Sequence, residues 1–387
     1  MESVRKICFV TGSRAEYGIM SRLMKMVQAD ASLQLQVIAT NMHLSPTFGL
    51  TYREIEADDI TIDKKVDMMV SGDTASAVTK SLGLGIIGFA DAYADLKPDL
   101  LVVLGDRYEI LGAVSAALLF QIPVAHISGG DITEGAYDDA IRHAITKMSH
   151  LHFPTTEEYR NRVIQLGEQP DHVWNMGSLS VDNMKHVALM SREELEESLG
   201  FKLDKPTALV TYHPVTMEAD RAGEQCDELL AALDAEPLNL IFTMPNSDNN
   251  GVVIMEKINE YVAAHPARAI AVKSLGYKRY LSALQFVALV VGNSSSGIAE
   301  VPSFHIPTVN IGIRQKGRIR GNSVIHCDPT RQSISAAISQ ARTMAANADD
   351  FVNPYEQSDT AAKILEVLKT YPLDGLEMKQ FYNIAQQ

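Results

Sequence analysis

The sequence predicts an α/β protein made of two Rossmann-like halves that face each other across a cleft. Three observations carry that expectation. The chain has 387 residues, more than twice the length of a typical single domain. Short apolar runs alternate with helix-like stretches along nearly all of it, the pattern of parallel strands joined by right-handed crossovers. The runs are apolar on consecutive residues, as expected where helices cover both faces of a sheet.

Taken in order, the first half offers the strand-like runs ICFVTG, LQLQVIAT, LLVVLGD, PVAHIS and LHFPTT. Helix-like segments lie between them near 15–29, 74–95, 108–120 and 136–149. The alternation relaxes over 178–206, where Ser191-Arg-Glu-Glu194 matches a capping box and Gly200 can stop the helix that follows. A hinge is therefore expected near Ser178 to Asp182. A second series follows with TALVTYHP, NLIFTMP, RAIAVKS, ALVVGNSS and PTVNIG. The expected division is a first domain over 1–178 and a second over 179–365, with a C-terminal helix of about 366–387 packing back on the first.

Composition narrows the function classes. A net charge of -14 argues against a general nucleic-acid surface, so an anionic ligand would need a local cationic cluster, and Arg314, Lys316, Arg318 and Arg320 form one. No apolar run is long enough to cross a bilayer and the N-terminus leads directly into a strand, so a cytoplasmic protein is expected. Cys8, Cys226 and Cys327 are far apart and lack metal-binding spacing, which predicts buried free thiols. Nothing in the pattern requires a metal or a redox cofactor.

In open α/β sheets, ligands sit at the C-terminal ends of strands. The polar strand ends here are Thr11-Gly-Ser-Arg14, Gly105-Asp106-Arg107, Ser128-Gly-Gly-Asp131, Tyr212-His213-Pro214, Met244 to Asp248 and Gly292 to Gly297. Gly83-x-Gly85-x-x-Gly88 fits a dinucleotide fingerprint, but it lies inside a helix-like stretch, so close helix packing is the better reading of its glycines. The segment Gly292-Asn-Ser-Ser-Ser-Gly297 follows an apolar strand and precedes a possible helix start, the setting of a phosphate cradle, with Glu300 placed to meet a ribose. Arg14 can bind a phosphate through its guanidinium, and Asp106 at a strand end can act as a general base or cap a helix. Asp138 and Arg142 stand four apart, the spacing of a shared site face and equally of a surface pair. His150 and His152, alternating along a strand, read as structural. His213 can donate to a diphosphate or act as an acid, and Asn246 and Asp248 close the next strand.

Together these residues resemble the hydrolysing UDP-N-acetylglucosamine 2-epimerases of sialic-acid-type pathways, in the wider 2-epimerase family with a glycosyltransferase-B-like fold. The resemblance spans most of the chain. It rests on TGSRAEYG, LGDRYE, HISGGDITEGAYDDAIRHAITKMSH, YHPVT, MPNSDNNG, GNSSSGIAEVPSF and VNIGIRQKGR, in that order. It implies removal of the proton at sugar C2 as UDP leaves C1, a glycal intermediate, and addition of water to give the free 2-epimeric sugar. It places Asp106, Asp138 and His213 in catalytic positions. Arg14, Asn246, Asp248, Ser294, Ser295, Glu300 and Arg314 fall in nucleotide-contacting ones. Relatives often carry a glutamate where this chain has Ser128, so Asp131 first, or Glu134, is expected to supply the second acid. The departure also admits a changed sugar, such as the 4-acetamido-6-deoxy analogue. The resemblance implies a homodimer or homotetramer. Three other readings stay open: a non-hydrolysing UDP-sugar 2-epimerase, a glycosyltransferase of the same fold, marked by acceptor-dependent UDP release, and a nucleotide-sugar sensor, marked by binding without product.

Overall fold

The computed structural model describes residues 4–72, 74–133, 137–215, 220–244 and 251–384. Contacts divide the chain into two units. One holds the chain up to Asn183 together with everything from Gln357 onward, and the other is Met184–Glu356. These divisions lie at 183 and 356 rather than near 178 and 365.

In the first unit, β1 (Arg5–Thr11), β2 (Leu33–Thr40), β3 (Lys64–Val66), β4 (Leu100–Leu104), β5 (Val124–Ile127) and β6 (Leu151–Phe153) form one sheet in the order β3-β2-β1-β4-β5-β6. Every pairing is parallel. Successive residues explain the continuous apolar runs. Ile7, Phe9, Leu100 and Val102 enter one core, while Cys8, Val10, Leu101 and Val103 enter another on the opposite face.

The second unit repeats the plan. Its strands β7 (Thr207–Thr211), β8 (Asn239–Thr243), β9 (Ala269–Val272), β10 (Leu289–Gly292), β11 (Thr308–Ile311) and β12 (Val324–Cys327) run β12-β11-β10-β7-β8-β9, again all parallel. Each sheet therefore has the doubly wound order, and its strand direction of progress reverses once. That switch falls between β1 and β4 in the first unit and between β7 and β10 in the second.

Local signals behave as their chemistry requires. The helix Arg14–Ala29 starts on Ser13, whose hydroxyl accepts from the Glu16 N–H at 3.4 Å. The helix Arg192–Leu199 carries the full Ser191/Glu194 capping box and ends at Gly200 with φ 62°. Gly83, Gly85 and Gly88 lie within the helix Ala75–Leu96. A Cβ on Gly85 would come within 2.8 Å of Met68, and one on Gly88 within 2.7 Å of Val66, so these glycines serve close packing. All three cysteines are buried and unpaired. Among the described residues, no helix is long and apolar enough to cross a membrane.

The C-terminal helix occupies Thr360–Thr370, earlier than 366–387, and no helix follows it in the described residues. Tyr371-Pro372 ends it, since proline disfavours helix in the residue before it. It packs on the helix Arg14–Ala29, and Arg5 reaches its Leu368 carbonyl at 2.7 Å. Asp182 fixes the helix start by accepting from the Ala361 N–H at 3.1 Å while pairing with Arg22 at 2.6 Å.

Candidate functional site

Beside the switch point of the first unit, polar side chains gather beyond the ends of β4 and β5. Arg142, on the helix Asp138–Met148, is the centre of the cluster and only 3% exposed. Its Nη2 donates to the Asp106 carboxylate and to the Thr133 hydroxyl at 3.1 Å. Its Nη1 donates to the Asp131 carbonyl at 2.7 Å and to Asp139 Oδ1 at 3.2 Å. Asp139 also accepts the Thr133 N–H at 2.8 Å, so the guanidinium and this carboxylate pin the same loop. A planar group with several fixed donors can hold four partners at once, and an ammonium cannot.

The Asp138–Arg142 spacing therefore marks no surface pair. Arg142 turns inward and takes Asp106 and Asp139 as its ionic partners. Asp138, first residue of the same helix, is half-buried, and its carboxyl is pushed above the usual range first by burial and then by the charge of Asp106. Two neighbouring carboxyl groups thus differ in setting: one is paired with a guanidinium, the other is biased toward its protonated form. The Asp131 carboxylate accepts from the Thr155 hydroxyl at 3.4 Å.

His126 braces this arrangement from β5. Its Nε2 lies 2.8 Å from the Gly105 carbonyl, which can only accept, so Nε2 carries the proton and Nδ1 accepts from Thr146 at 3.2 Å. Burial holds the ring neutral, lowering its pKa to about 3. The brace ties β5 to the turn that carries Asp106. Ser128 follows β5 in a left-handed conformation, φ 63°, and its N–H donates to the Phe153 carbonyl at 3.1 Å. Arg14 lies on the exposed side of its helix, 3.9 Å from Glu54.

In the second unit, β10 ends at Gly292, whose φ is 142° and where a Cβ would fall 1.9 Å from the Thr211 carbonyl. Only glycine fits that approach. The next residue, Asn293, is fully buried and clamps His213 by both main-chain groups. Its Oδ1 accepts from the His213 N–H at 2.8 Å and its Nδ2 donates to the His213 carbonyl at 2.8 Å. The Asn293 carbonyl in turn receives Arg314 Nη1 at 2.9 Å and Gln315 Nε2 at 3.0 Å. One asparagine thus gathers His213, Arg314 and the serine loop into a single cluster. Burial first, and Arg314 second, lower the His213 pKa to about 4, which leaves a neutral imidazole.

Ser294 and Ser295 form the turn. Ser294 Oγ accepts from the Ser296 N–H at 3.4 Å, and Ser296 Oγ receives the Tyr280 hydroxyl at 2.7 Å. The helix expected after this loop is only Ser296–Ala299, followed by a 3-10 turn over Val301–Phe304. Pro302 and the left-handed His305 close it early, so its dipole is too short to add much, and hydroxyls, amides and Arg314 are what the loop offers an anion. Glu300 sits between the short helix and the 3-10 turn, and its charge helps raise the Tyr277 phenol to about 12, after burial.

Of the expected residues, Asp106, Asp131 and Asp138 come together in one unit, and His213, Ser294, Ser295, Glu300 and Arg314 in the other. Glu134, Asn246 and Asp248 lie outside the described residues. From sequence, Arg142 is weighed only as one half of a spacing with Asp138, and Asp139, His126, Asn293 and Gln315 are not singled out, although all five stand inside motifs quoted above.

The chain matches the family described as UDP-N-acetylglucosamine 2-epimerase over residues 25–369. It is 45% identical over 324 residues to a Campylobacter jejuni protein described as a GDP/UDP-N,N'-diacetylbacillosamine 2-epimerase (hydrolyzing), covering 84% of each chain. It is 35% identical over 370 residues to a UDP-N,N'-diacetylbacillosamine 2-epimerase (hydrolyzing) of Legionella pneumophila, covering 96% of this chain and 97% of that one. Among solved structures, the UDP-GlcNAc 2-epimerase of Neisseria meningitidis, bound to UDP-GlcNAc, superposes with a TM-score of 0.73 at 19% identity, over 94% of this chain and 99% of that one. That likeness supports the α/β, glycosyltransferase-B-like fold class. With a family match across most of its length and two curated relatives above 30% identity, this chain belongs to the UDP-N-acetylglucosamine 2-epimerase family.

Proposed function

We propose that this protein is a hydrolysing nucleotide-sugar 2-epimerase, acting on UDP-N-acetylglucosamine or on its 4-acetamido-6-deoxy analogue and supplying the free manno-configured sugar to nonulosonic acid synthesis. The observation that carries the reading is the divided environment of the first-unit acids, with Asp106 paired to Arg142 and Asp138 pushed toward protonation. The names of the two relatives, both hydrolysing, favour hydrolysis and the 4-acetamido-6-deoxy sugar.

In the proposed reaction a carboxylate of this cluster takes the C2 proton. The C–H electrons form the C1–C2 double bond and the C1–oxygen bond breaks, releasing UDP. Water then adds across the glycal, its oxygen to C1 and a proton to the opposite face of C2, with Asp131 as the donor there. An acid whose pKa lies nearer the working pH exchanges protons best, which assigns the C2 proton to Asp138 and leaves Asp106 to orient the sugar. The diphosphate belongs to Ser294, Ser295 and Arg314, with Glu300 on the ribose. A neutral His213 donates one N–H to a phosphate oxygen, and the charge of the diphosphate would raise its pKa toward the protonated form that assists departure. Arg14, Asn246, Asp248 and Glu134 are assigned to the site from the motifs alone, and assembly into a dimer or tetramer from the resemblance.

Incubation with each UDP-sugar in deuterated water, followed by NMR, tests the reading. The expected products are UDP and a free sugar deuterated at C2 in matching amounts. A nucleotide-linked epimer would show a non-hydrolysing enzyme, and untouched substrate with no deuterium would sink the proposal.

A further inference from the structure

Behind the first-unit site lie two carboxylates with no part in the reaction above. Glu16, in the first turn of the helix Arg14–Ala29, is 5% exposed, and Glu109, in the first turn of the helix Tyr108–Leu119, is fully buried. They converge on Gly12. Glu16 Oε2 accepts the Gly12 N–H at 2.7 Å, and the Glu109 carboxylate lies so close that a Cβ on Gly12 would meet its Oε1 at 2.4 Å. The cation between them is Arg107, whose Nε donates to Glu109 Oε1 at 2.5 Å and stands 4.0 Å from Glu16 Oε1. Two oxygens remain: Glu16 Oε1 and Glu109 Oε2 are buried and have no hydrogen-bond partner among the described residues.

Two ionised carboxylates against one guanidinium would leave a net negative charge out of water with two unmatched oxygens. A single proton on the pair removes the excess charge and turns one of the two unmatched oxygens into a donor. We propose that Glu16 and Glu109 hold one proton between them, making a neutral unit with Arg107 that positions the Gly12–Arg14 turn against the Asp106–Arg107 turn across the β1/β4 switch point.

The surroundings agree. From the 41–44 turn, His43 is buried against the Thr11 and Thr51 hydroxyls at 3.1 and 2.8 Å and is neutral, its pKa lowered to about 4 by burial. Met42 offers its sulfur to Arg107 at 3.5 Å, and the Tyr108 phenol donates to Asn41 at 3.2 Å. Among these groups Arg107 alone is cationic. Burial first, and Glu109 second, raise Glu16 to about 8, and the proton belongs to the pair as a whole.

The proton is a property of the fold, whereas its effect on turnover rests on the function proposed above. The experiment therefore has two readouts. Infrared difference spectra of the wild-type protein between about pH 6.5 and 9.5 should show the carbonyl stretch of a protonated carboxyl lost near pH 8. Glu16→Gln and Glu109→Gln, each an amide that permanently supplies the donor, should both lack it. In UDP release, kcat should fall on the alkaline side with the same midpoint, and either variant should move that limb up by about one pH unit or more. Absence of a titrating band in the wild type, or its survival in both variants, overturns the shared proton. A band lost on schedule with an unmoved alkaline limb overturns the positioning role. If no UDP-sugar is turned over, the function fails while the band still decides the proton.

Discussion

Replacing Asn293 by alanine should disable the second-unit cluster without touching any group proposed to contact the substrate. Its side chain makes two 2.8 Å hydrogen bonds to the main chain of His213, and the variant leaves that N–H and C=O unpaired. An unpaired buried polar group costs about 1–3 kcal/mol, so two could reach about 6. His213 is only half-buried, and water can reach part of it, which sets the loss at about 2–3 kcal/mol. If the whole loss falls on the transition state, kcat/KM drops about 30- to 160-fold. The assay is UDP release under kcat/KM conditions, with the His213 imidazole titrated by NMR in parallel. Freed from its buried seat, the ring should titrate nearer 6.5 than the lowered value of about 4. Because Asn293 acts through His213, the double variant Asn293→Ala/His213→Ala should be far less impaired than the two single losses combined. A loss under about fivefold, or full additivity, would refute the clamp.

Arg142→Lys should lower kcat/KM at least about a hundredfold, because one ammonium cannot hold Asp106, Asp139, Thr133 and the Asp131 carbonyl together. Its stability loss, read by chemical denaturation, should stay near 1–3 kcal/mol, below that of a fully buried pair, since the two aspartates are 25% and 29% exposed. Asp138→Asn should reduce kcat by about 10²- to 10⁴-fold while leaving UDP affinity, measured by calorimetry, within about twofold. Acid should destabilise the first unit before its carboxylates titrate. Burial holds His43, His126 and His150 at about 4, 3 and 4, below their unfolded value, so their contribution is fully present above about 6.5 and is lost as pH falls toward those values. Each should remove about 1–2 kcal/mol by about pH 5, and His126→Gln should flatten part of that slope in denaturation curves.

The strands that were legible in sequence are those whose residues are apolar one after another, because only strands buried on both faces must be so. The two that escaped, β3 and β12, close the edges of their sheets. Lys64-Lys65-Val66 pairs on one side alone, and His326 of Val324–Cys327 is exposed, so neither shows an unbroken apolar run. The site divides in the same way. Glycine, serine and aspartate at strand ends announce themselves singly, since a turn and a ligand both select them. What no local pattern can show is the partner across the fold: Arg142 reaches Asp106, 36 positions away, and Asn293 reaches His213, 80 positions away. A buried arginine looks from its neighbours like half of a helical surface pair until its direction is known.

The resemblance leads to the expectation of a glutamate where this chain has Ser128, and Arg142 gives a physical reason why an acid at 131 can serve instead. The guanidinium holds Asp106 by its carboxylate and Asp131 by its carbonyl, so the acid beyond β5 is indexed to the acid beyond β4 through main chain rather than through the side chain at 128. Ser128 itself is held by its main chain, its N–H donating to the Phe153 carbonyl. A carboxylate at 131 is thus placed as firmly as one at 128 would be. Asp131→Ala should therefore cut kcat by about 10²-fold or more, and adding Ser128→Glu should restore about tenfold, because a glutamate there refills the acid position beside an undisturbed Arg142. The left-handed backbone at 128 strains a glutamate about as much as the serine already there, so the double variant should fold as the single one does. Full activity in Asp131→Ala would remove Asp131 from the mechanism and return the second acid to another residue of the loop.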